Sequence, residues 1–181
     1  IAEIEIKNKE LENFVQYWYE IIKQNNKLKL EQNTRLVNYA LGVQAWADSE
    51  YKNGTIHCKA SQAVDGKWSN WRNDMWHSDN FEEAHWLKID LVRPRSITRF
   101  VIRHDGDKNK VTVDFEIHGS NDDISWNVLV GVQGNKEVIT THKVTSCSYR
   151  YFKLNIKKPG EHDDYARIYE FEVWGIKNEN E

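Results

Sequence analysis

The sequence predicts an all-β domain, an antiparallel β-sandwich, behind an N-terminal α-helical extension. Three observations predict it. Apolar and polar residues alternate with period two in several short segments after residue 38, the pattern of strands with one buried face. Clusters rich in Gly, Asn and Asp punctuate those segments, as turns do. No helical pattern intervenes between them, which argues for antiparallel pairing rather than crossovers.

Residues 1–35 differ from the rest. Leu11, Phe14, Val15, Trp18 and Ile22 fall at i, i+3, i+4, i+7 and i+11, one stripe of an amphipathic helix. Glu3, Glu5 and Glu10 crowd its start and Lys23 its end, which suits the helix dipole. Gln24-Asn25-Asn26 is the expected stop. The stripe is expected to pack on an upstream domain, on the following domain or on a partner. Residues 36–176 form the β domain, and 177–181 read as a polar tail.

Within the β domain, Ile89-Asp90-Leu91 closes one strand and residues 97–103 and 126–130 form others. In 111–118, Val111, Val113, Phe115 and Ile117 alternate with Thr112, Asp114, Glu116 and His118. In 150–156, Phe152, Leu154 and Ile156 point inward. In 168–174, Tyr169, Phe171 and Val173 share one face. Asp105-Gly106-Asp107, Ser120-Asn121-Asp122-Asp123 and Gly134-Asn135 are the turns.

Composition narrows the function classes. The chain has 181 residues, 29% of them charged, and a net charge of −3. No basic surplus marks it for nucleic acid or an anionic membrane. No apolar run is long enough to span a bilayer. The first residues, Ile1-Ala2-Glu3-Ile4-Glu5, lack the basic and apolar regions of a signal peptide. The two cysteines, Cys58 and Cys147, are too few for a zinc site, and whether they pair stays open. Eight tryptophans suit a compact β domain and also sugar binding, because an aromatic face packs on the C–H face of a pyranose.

The densest chemistry lies in residues 60–91. Ala63-Val64-Asp65-Gly66 is a tight turn carrying a carboxylate, and Trp76-His77-Ser78 is an aromatic, imidazole and hydroxyl triplet. Catalysis is not expected. His77 and Ser78 are strand neighbours and point to opposite faces. There is no Gly-x-Ser-x-Gly, HExxH or glycine-rich phosphate loop. The acidic pairs Glu82-Glu83 and Asp163-Asp164 read as solvated, since sequence adjacency does not place two carboxylates across a sugar. His57, His104, His118, His142 and His162 read as ordinary surface or turn residues.

A series of short pieces in one order resembles discoidin-type domains, also called the coagulation factor V/VIII C-type fold. The pieces are Asn38-Tyr39-Ala40-Leu41-Gly42, Ala47-Asp48-Ser49-Glu50-Tyr51, the Asp65 turn, Trp86-Leu87-Lys88-Ile89-Asp90-Leu91 and Ile97-Thr98-Arg99-Phe100-Val101-Ile102. Phe115-Glu116-Ile117-His118-Gly119-Ser120-Asn121-Asp122, Trp126, Arg150-Tyr151-Phe152-Lys153-Leu154 and Glu170-Phe171-Glu172-Val173-Trp174-Gly175 continue it. Within that group the chain is most similar to family 32 carbohydrate-binding modules of bacterial glycan-degrading enzymes. Trp76-His77-Ser78 resembles their Trp-His-Thr/Ser triplet, and Arg103-His104-Asp105-Gly106 with Asn109 their Arg-x-Asp-Gly and following Asn. Residues 68–73 are an insertion relative to many relatives. Fucose-binding F-type lectins are a looser likeness: Arg103, Asp105 and Lys110 fit their second motif, His77 is one residue off, and their cysteine pattern is missing.

The resemblance implies a jelly-roll, galactose-binding-domain-like sandwich with binding loops at one end. It implies a non-catalytic module that binds terminal galactose-type sugars (Gal or GalNAc, with GlcNAc or fucose behind them) and tethers a larger secreted or surface-exposed bacterial enzyme to glycans. His77 would grip an axial hydroxyl, Arg103 would offer a fork of donors, and Asn109 and Asp105 would complete the polar set. Trp68, Trp71 and Tyr165 are the candidates for the stacking ring. It also implies a structural Ca²⁺ held by Asp65, by carbonyls near Gln62 and Lys67, by Tyr169 and by the Glu170 carboxylate, with Asn70 or Asp74 supplying a further oxygen. The alternative is a discoidin-type protein- or phospholipid-interaction module, using the loop that carries Trp68 and Trp71; neither nucleic acid nor a membrane is the favoured partner.

Overall fold

The computed structural model describes residues 2–34, 36–70, 72–79, 84–162 and 164–177. Trp71, Glu82-Glu83 and Asp163 lie outside them. The chain divides into two compact units, one holding the helix and one spanning Val37–Ile176.

The helix, α1, runs from Ala2 to Thr34. It passes straight through Gln24-Asn25-Asn26, the expected stop. Asn and Gln cost only a few tenths of a kcal/mol in a helix interior, and no Gly or Pro breaks the run. Pairs such as Lys27–Glu31, at 4.0 Å, add a little support. The stripe exists as read: Leu11, Phe14, Val15, Trp18 and Ile22 are all exposed, Phe14 at 60%.

The second unit is mostly β. Its strands are β1 (Leu36–Asn38), β2 (Gln44–Ala47), β3 (Tyr51–Asn53), β4 (Ile56–Cys58), β5 (Trp76–His77), β6 (His85–His104), β7 (Asp114–Ser120), β8 (Asn127–Val132), β9 (Ile139–Lys158) and β10 (Arg167–Ile176). A 3₁₀ turn, Ala60–Val64, precedes the Asp65 loop. The main order is β1-β10-β6-β9-β7-β8, with β2 on β6 and β5 on β10; the resolved strand pairs are antiparallel.

Two twenty-residue strands turn the corner between the layers. The first part of β6 pairs with β2 and with 151–156 of β9; the second pairs with β10 and with 139–149. The register breaks between Asp90 and Arg95, where Val92 takes φ 69°. The segments read as separate strands ending at Leu91 and starting at Ile97 are thus one bent strand, as sandwich corners require. Strand β7 starts at Asp114, three residues later than expected, yet Val111 and Val113 are buried.

The core holds the fully buried Trp76, Phe100, Phe115, Phe152 and Phe171. Phe100 meets Phe152 edge-on at 5.4 Å and stacks near Phe171 at 6.2 Å, geometries that aromatic pairs favour. The Trp76 indole donates to the Ser49 carbonyl at 2.8 Å. Cys58 and Cys147 are not joined to each other by a disulfide.

Two readings of β10 and its partner change. The register shifts between Ile168 and Glu170, a bulge that leaves Tyr169 unpaired. Ile168 stays in the core and the inward phase resumes at Phe171 and Val173, so Tyr169 does not share their face and turns outward. His104 is no surface residue. It is 2% exposed, packs on Phe115 at 5.4 Å and bonds the Thr140 hydroxyl at 3.2 Å. Burial, with His142 adding repulsion, lowers its pKa to about 3.

Candidate functional site

Loops between β5, β6, β7, β9 and β10 gather at one end and enclose a cavity of about 350 Å³ lined by Met75, His77, Asp105, Lys110, Arg167 and Tyr169. That volume lies within the usual range for small-ligand pockets. His77 sits between two rings, Tyr51 and Tyr165, each 5.0 Å away. Its Nδ1 donates to the Ser78 carbonyl at 2.5 Å, so when the ring is neutral Nε2 is its acceptor nitrogen. The Arg167 guanidinium lies 3.8 Å from the Asp105 carboxylate and 5.4 Å from the centre of the Tyr165 ring. Lys110 pairs with Asp107 at 3.1 Å. Burial, with Asp105 and Asp74 nearby, raises the Tyr169 pKa, which keeps its hydroxyl a donor.

A polar clamp beneath the cavity fixes its wall. Ser78 points inward, as strand alternation requires, and is fully buried. It exchanges backbone and hydroxyl bonds with Ala166, both at 3.0 Å. His85 Nε2 donates to the Asp164 carbonyl and Nδ1 to the Asp48 carboxylate, each at 2.7 Å. Burial raises the Asp48 pKa, but the bonds from His85 and the Trp86 amide outweigh it and hold the group below its usual value. Ser78, His85 and Asp48 superficially make a Ser-His-Asp set. With Ser78 and His85 sealed from solvent and the ring already bonded to a carbonyl, they brace Tyr165 rather than meet a substrate.

The other expected site residues separate. Arg103 does not join His77. Its Nε donates to Glu172 at 2.8 Å, and the guanidinium lies 4.1 Å from the centre of the Trp68 ring. Both line a smaller cavity of about 210 Å³, for which Tyr169 is the shared wall. Asn109 lines a third cavity with Lys108 and Asn135, and its side chain donates to Asp107 at 3.2 Å. The structure therefore assembles His77, Asp105 and Tyr165 from the expected set and adds Lys110, Arg167, Tyr51 and Tyr169. Lys110 was visible in the looser lectin motif. Arg167 had no signal beyond standing two residues after Tyr165.

The Asp65 loop lies against Glu170 of β10. Glu170 is 1% exposed, and its Oε1 accepts the amides of Gly66 at 2.8 Å and Lys67 at 3.1 Å. Burial drives its pKa up to about 8; those amides pull the other way, while Asp65 and Glu172 add repulsion. Asp65 accepts the Lys67 amide at 2.9 Å. Asp74 closes the inserted loop instead, accepting from the Ser69 amide and hydroxyl and the Asn70 amide, and Asn70 Oδ1 accepts the Arg72 amide. The Gln62 side chain bonds the Lys59 amide and the Asn73 carbonyl. Among the described residues no three His, Cys, Asp or Glu side chains gather as a metal cluster. Two carboxylates nonetheless meet at the Gly66-Lys67 turn, one of them buried and pushed toward its neutral form, and carboxylate oxygens are the donors a hard cation takes.

Solved structures similar to this fold include chitosan-binding module 1 of a chitosanase/glucanase from Paenibacillus sp. IK-5, at 22% identity and TM-score 0.66, covering 77% of this chain and 99% of that one. A family 32 carbohydrate-binding module from C. perfringens NanJ, in complex with galactose, matches at 20% identity and TM-score 0.62 over 78% and 98%. A Streptococcus pneumoniae fucose binding module matches at 16% and 0.64 over 78% and 96%. No curated protein sequence matches the chain. The sequence profile of the F5/8 type C domain matches residues 44–171, and the chain therefore belongs to that family.

Proposed function

We propose that Val37–Ile176 is a non-catalytic carbohydrate-binding module for a terminal galactose-type sugar, held at the His77 cavity, and that it tethers a larger bacterial enzyme to glycans outside the cell. The observation that carries this reading is the convergence of mixed hydrogen-bonding groups with aromatic walls. Sugar hydroxyls both donate and accept, so the site needs both kinds of partner. His77 Nε2 and Asp105 accept, while Lys110, Arg167 and the Tyr169 hydroxyl donate. Tyr51 and Tyr165 flank the imidazole and offer apolar faces. The similar solved modules, described as binding galactose, fucose or chitosan, support the ligand class. Arg167 takes the donor role that the sequence pattern suggested for Arg103. A shallow pocket of this kind binds weakly per site, and neighbouring modules supply avidity.

Beside the pocket, Asp65, Glu170 and carbonyls near Gln62 and Lys67 would hold Ca²⁺. The ion would supply charge to the buried Glu170 carboxylate and tie the Asp65 loop to β10. It would take no part in a reaction.

A glycan array on the intact chain, followed by titration with galactose and N-acetylgalactosamine, tests the reading. Binding lost in His77→Ala, with an unchanged melting temperature, is expected. Binding to anionic liposomes with none on the array would favour the phospholipid-interaction alternative.

A further inference from the structure

Strand alternation sends one row of β6 and β9 into the core and the other out to solvent. Leu87, Ile89, Phe152 and Leu154 are the buried row, so Trp86, Lys88 and Lys153 stand on the outer face. There, with Trp126 and Asp123, they line a cavity of about 190 Å³. None of these residues lines the His77 cavity.

Lys88 and Lys153 are direct cross-strand partners, and like charges placed directly opposite are destabilising. Asp123 neutralises Lys88, at 2.6 Å. Lys153 instead lies 4.3 Å from the centre of the Trp126 ring and makes no ion pair among the described residues. Burial and then Lys88 lower its pKa, outweighing the smaller opposing pull of Asp123. Two indole rings border the two lysines, and a third, Trp46, lies 5.3 Å from Lys88.

We propose that this face is a second glycan site, for a sugar bearing a carboxylate or sulfate group, with Lys153 and Lys88 meeting the anion and Trp126 and Trp86 meeting the sugar ring. An ammonium gives the anion its partner, and an indole face packs on pyranose C–H groups. The whole chain carries −3, so attraction to a polyanion must come from a local patch.

Affinity electrophoresis of the intact chain in gels containing polygalacturonate, heparin or neutral galactan tests this. Retardation in at least one of the two polyanion gels is expected, and which gel retards distinguishes carboxylate from sulfate. The apparent affinity should fall at least fivefold in Lys153→Gln and in Trp126→Ala, and should survive in His77→Ala and Lys153→Arg. Lys153→Gln removes the charge without emptying the position and decides the matter if Trp126→Ala does not fold. Mobility unaffected by both polyanions overturns the proposal, as does retardation that Lys153→Gln leaves unchanged. The galactan gel reads the His77 site separately.

Discussion

The helix and the sandwich spend the same kinds of residue in opposite ways. In α1, Phe14, Tyr17, Trp18 and Tyr19 face solvent, with Phe14 and Trp18 meeting edge-on at 6.1 Å. In the sandwich, Phe100, Phe115, Phe152 and Phe171 are sealed. Both regions show regular apolar periodicity, but only the sheets bury their apolar faces within their own unit. Periodicity tells which face is apolar; it does not tell what covers it. Stability and recognition should therefore belong to the sandwich, and the helix should matter only to whatever its stripe meets.

The sharpest way to break that contrast is a matched pair of truncations. Phe152→Ala should cost about 3–5 kcal/mol, as large aromatic truncations in cores do, whereas Trp18→Ala should stay within about 0.5 kcal/mol; urea midpoints compare them. Next comes recognition within the sandwich. Arg167→Ala should weaken galactose binding about tenfold or more, in line with losing a charged hydrogen bond, while Arg103→Ala should leave affinity near wild type; equal losses would return Arg103 to the site.

The ion loop gives a smaller, pH-dependent effect. Glu170 has a folded pKa raised to about 8 from 4.5. Its contribution is therefore fully present below pH 4.5 and is lost as pH rises through about 8. In chelator, the melting temperature should fall over that window, and Glu170→Gln should remove this part of the slope. Added Ca²⁺ should raise the melting temperature most at the alkaline end, since it binds the ionised, folded form. The smallest effect should come from deleting residues 1–35: the melting temperature of the sandwich and its glycan binding should both stay unchanged.

The sandwich was legible because its strands alternate cleanly, as at Phe115 and Ile117 or Phe152 and Leu154. The helix was legible from its stripe, but its end was not, because Asn and Gln are weak stops without Gly or Pro. The site was half legible. His77 and Asp105 line one cavity. Arg103 lines the neighbouring one, because Glu172 and Trp68, both distant in sequence, take its guanidinium. The outward turn of Tyr169 follows from a bulge that no residue type announces. His85 and His104 were invisible for a related reason: a buried histidine is marked by its partners, Asp48 and Asp164 in one case and Phe115 and Thr140 in the other, and these come together only in the fold.

The clamp beneath Tyr165 grips its loop by main-chain atoms, the Asp164 carbonyl and the Ala166 amide and carbonyl. These holds on the loop do not pass through the side chain it displays at Tyr165, whose ring meets His77 and Arg167. Exchanging that side chain for another ring, an amide or a small residue should retarget the pocket without refolding it, which makes position 165 the natural handle for redesigning what the module recognises.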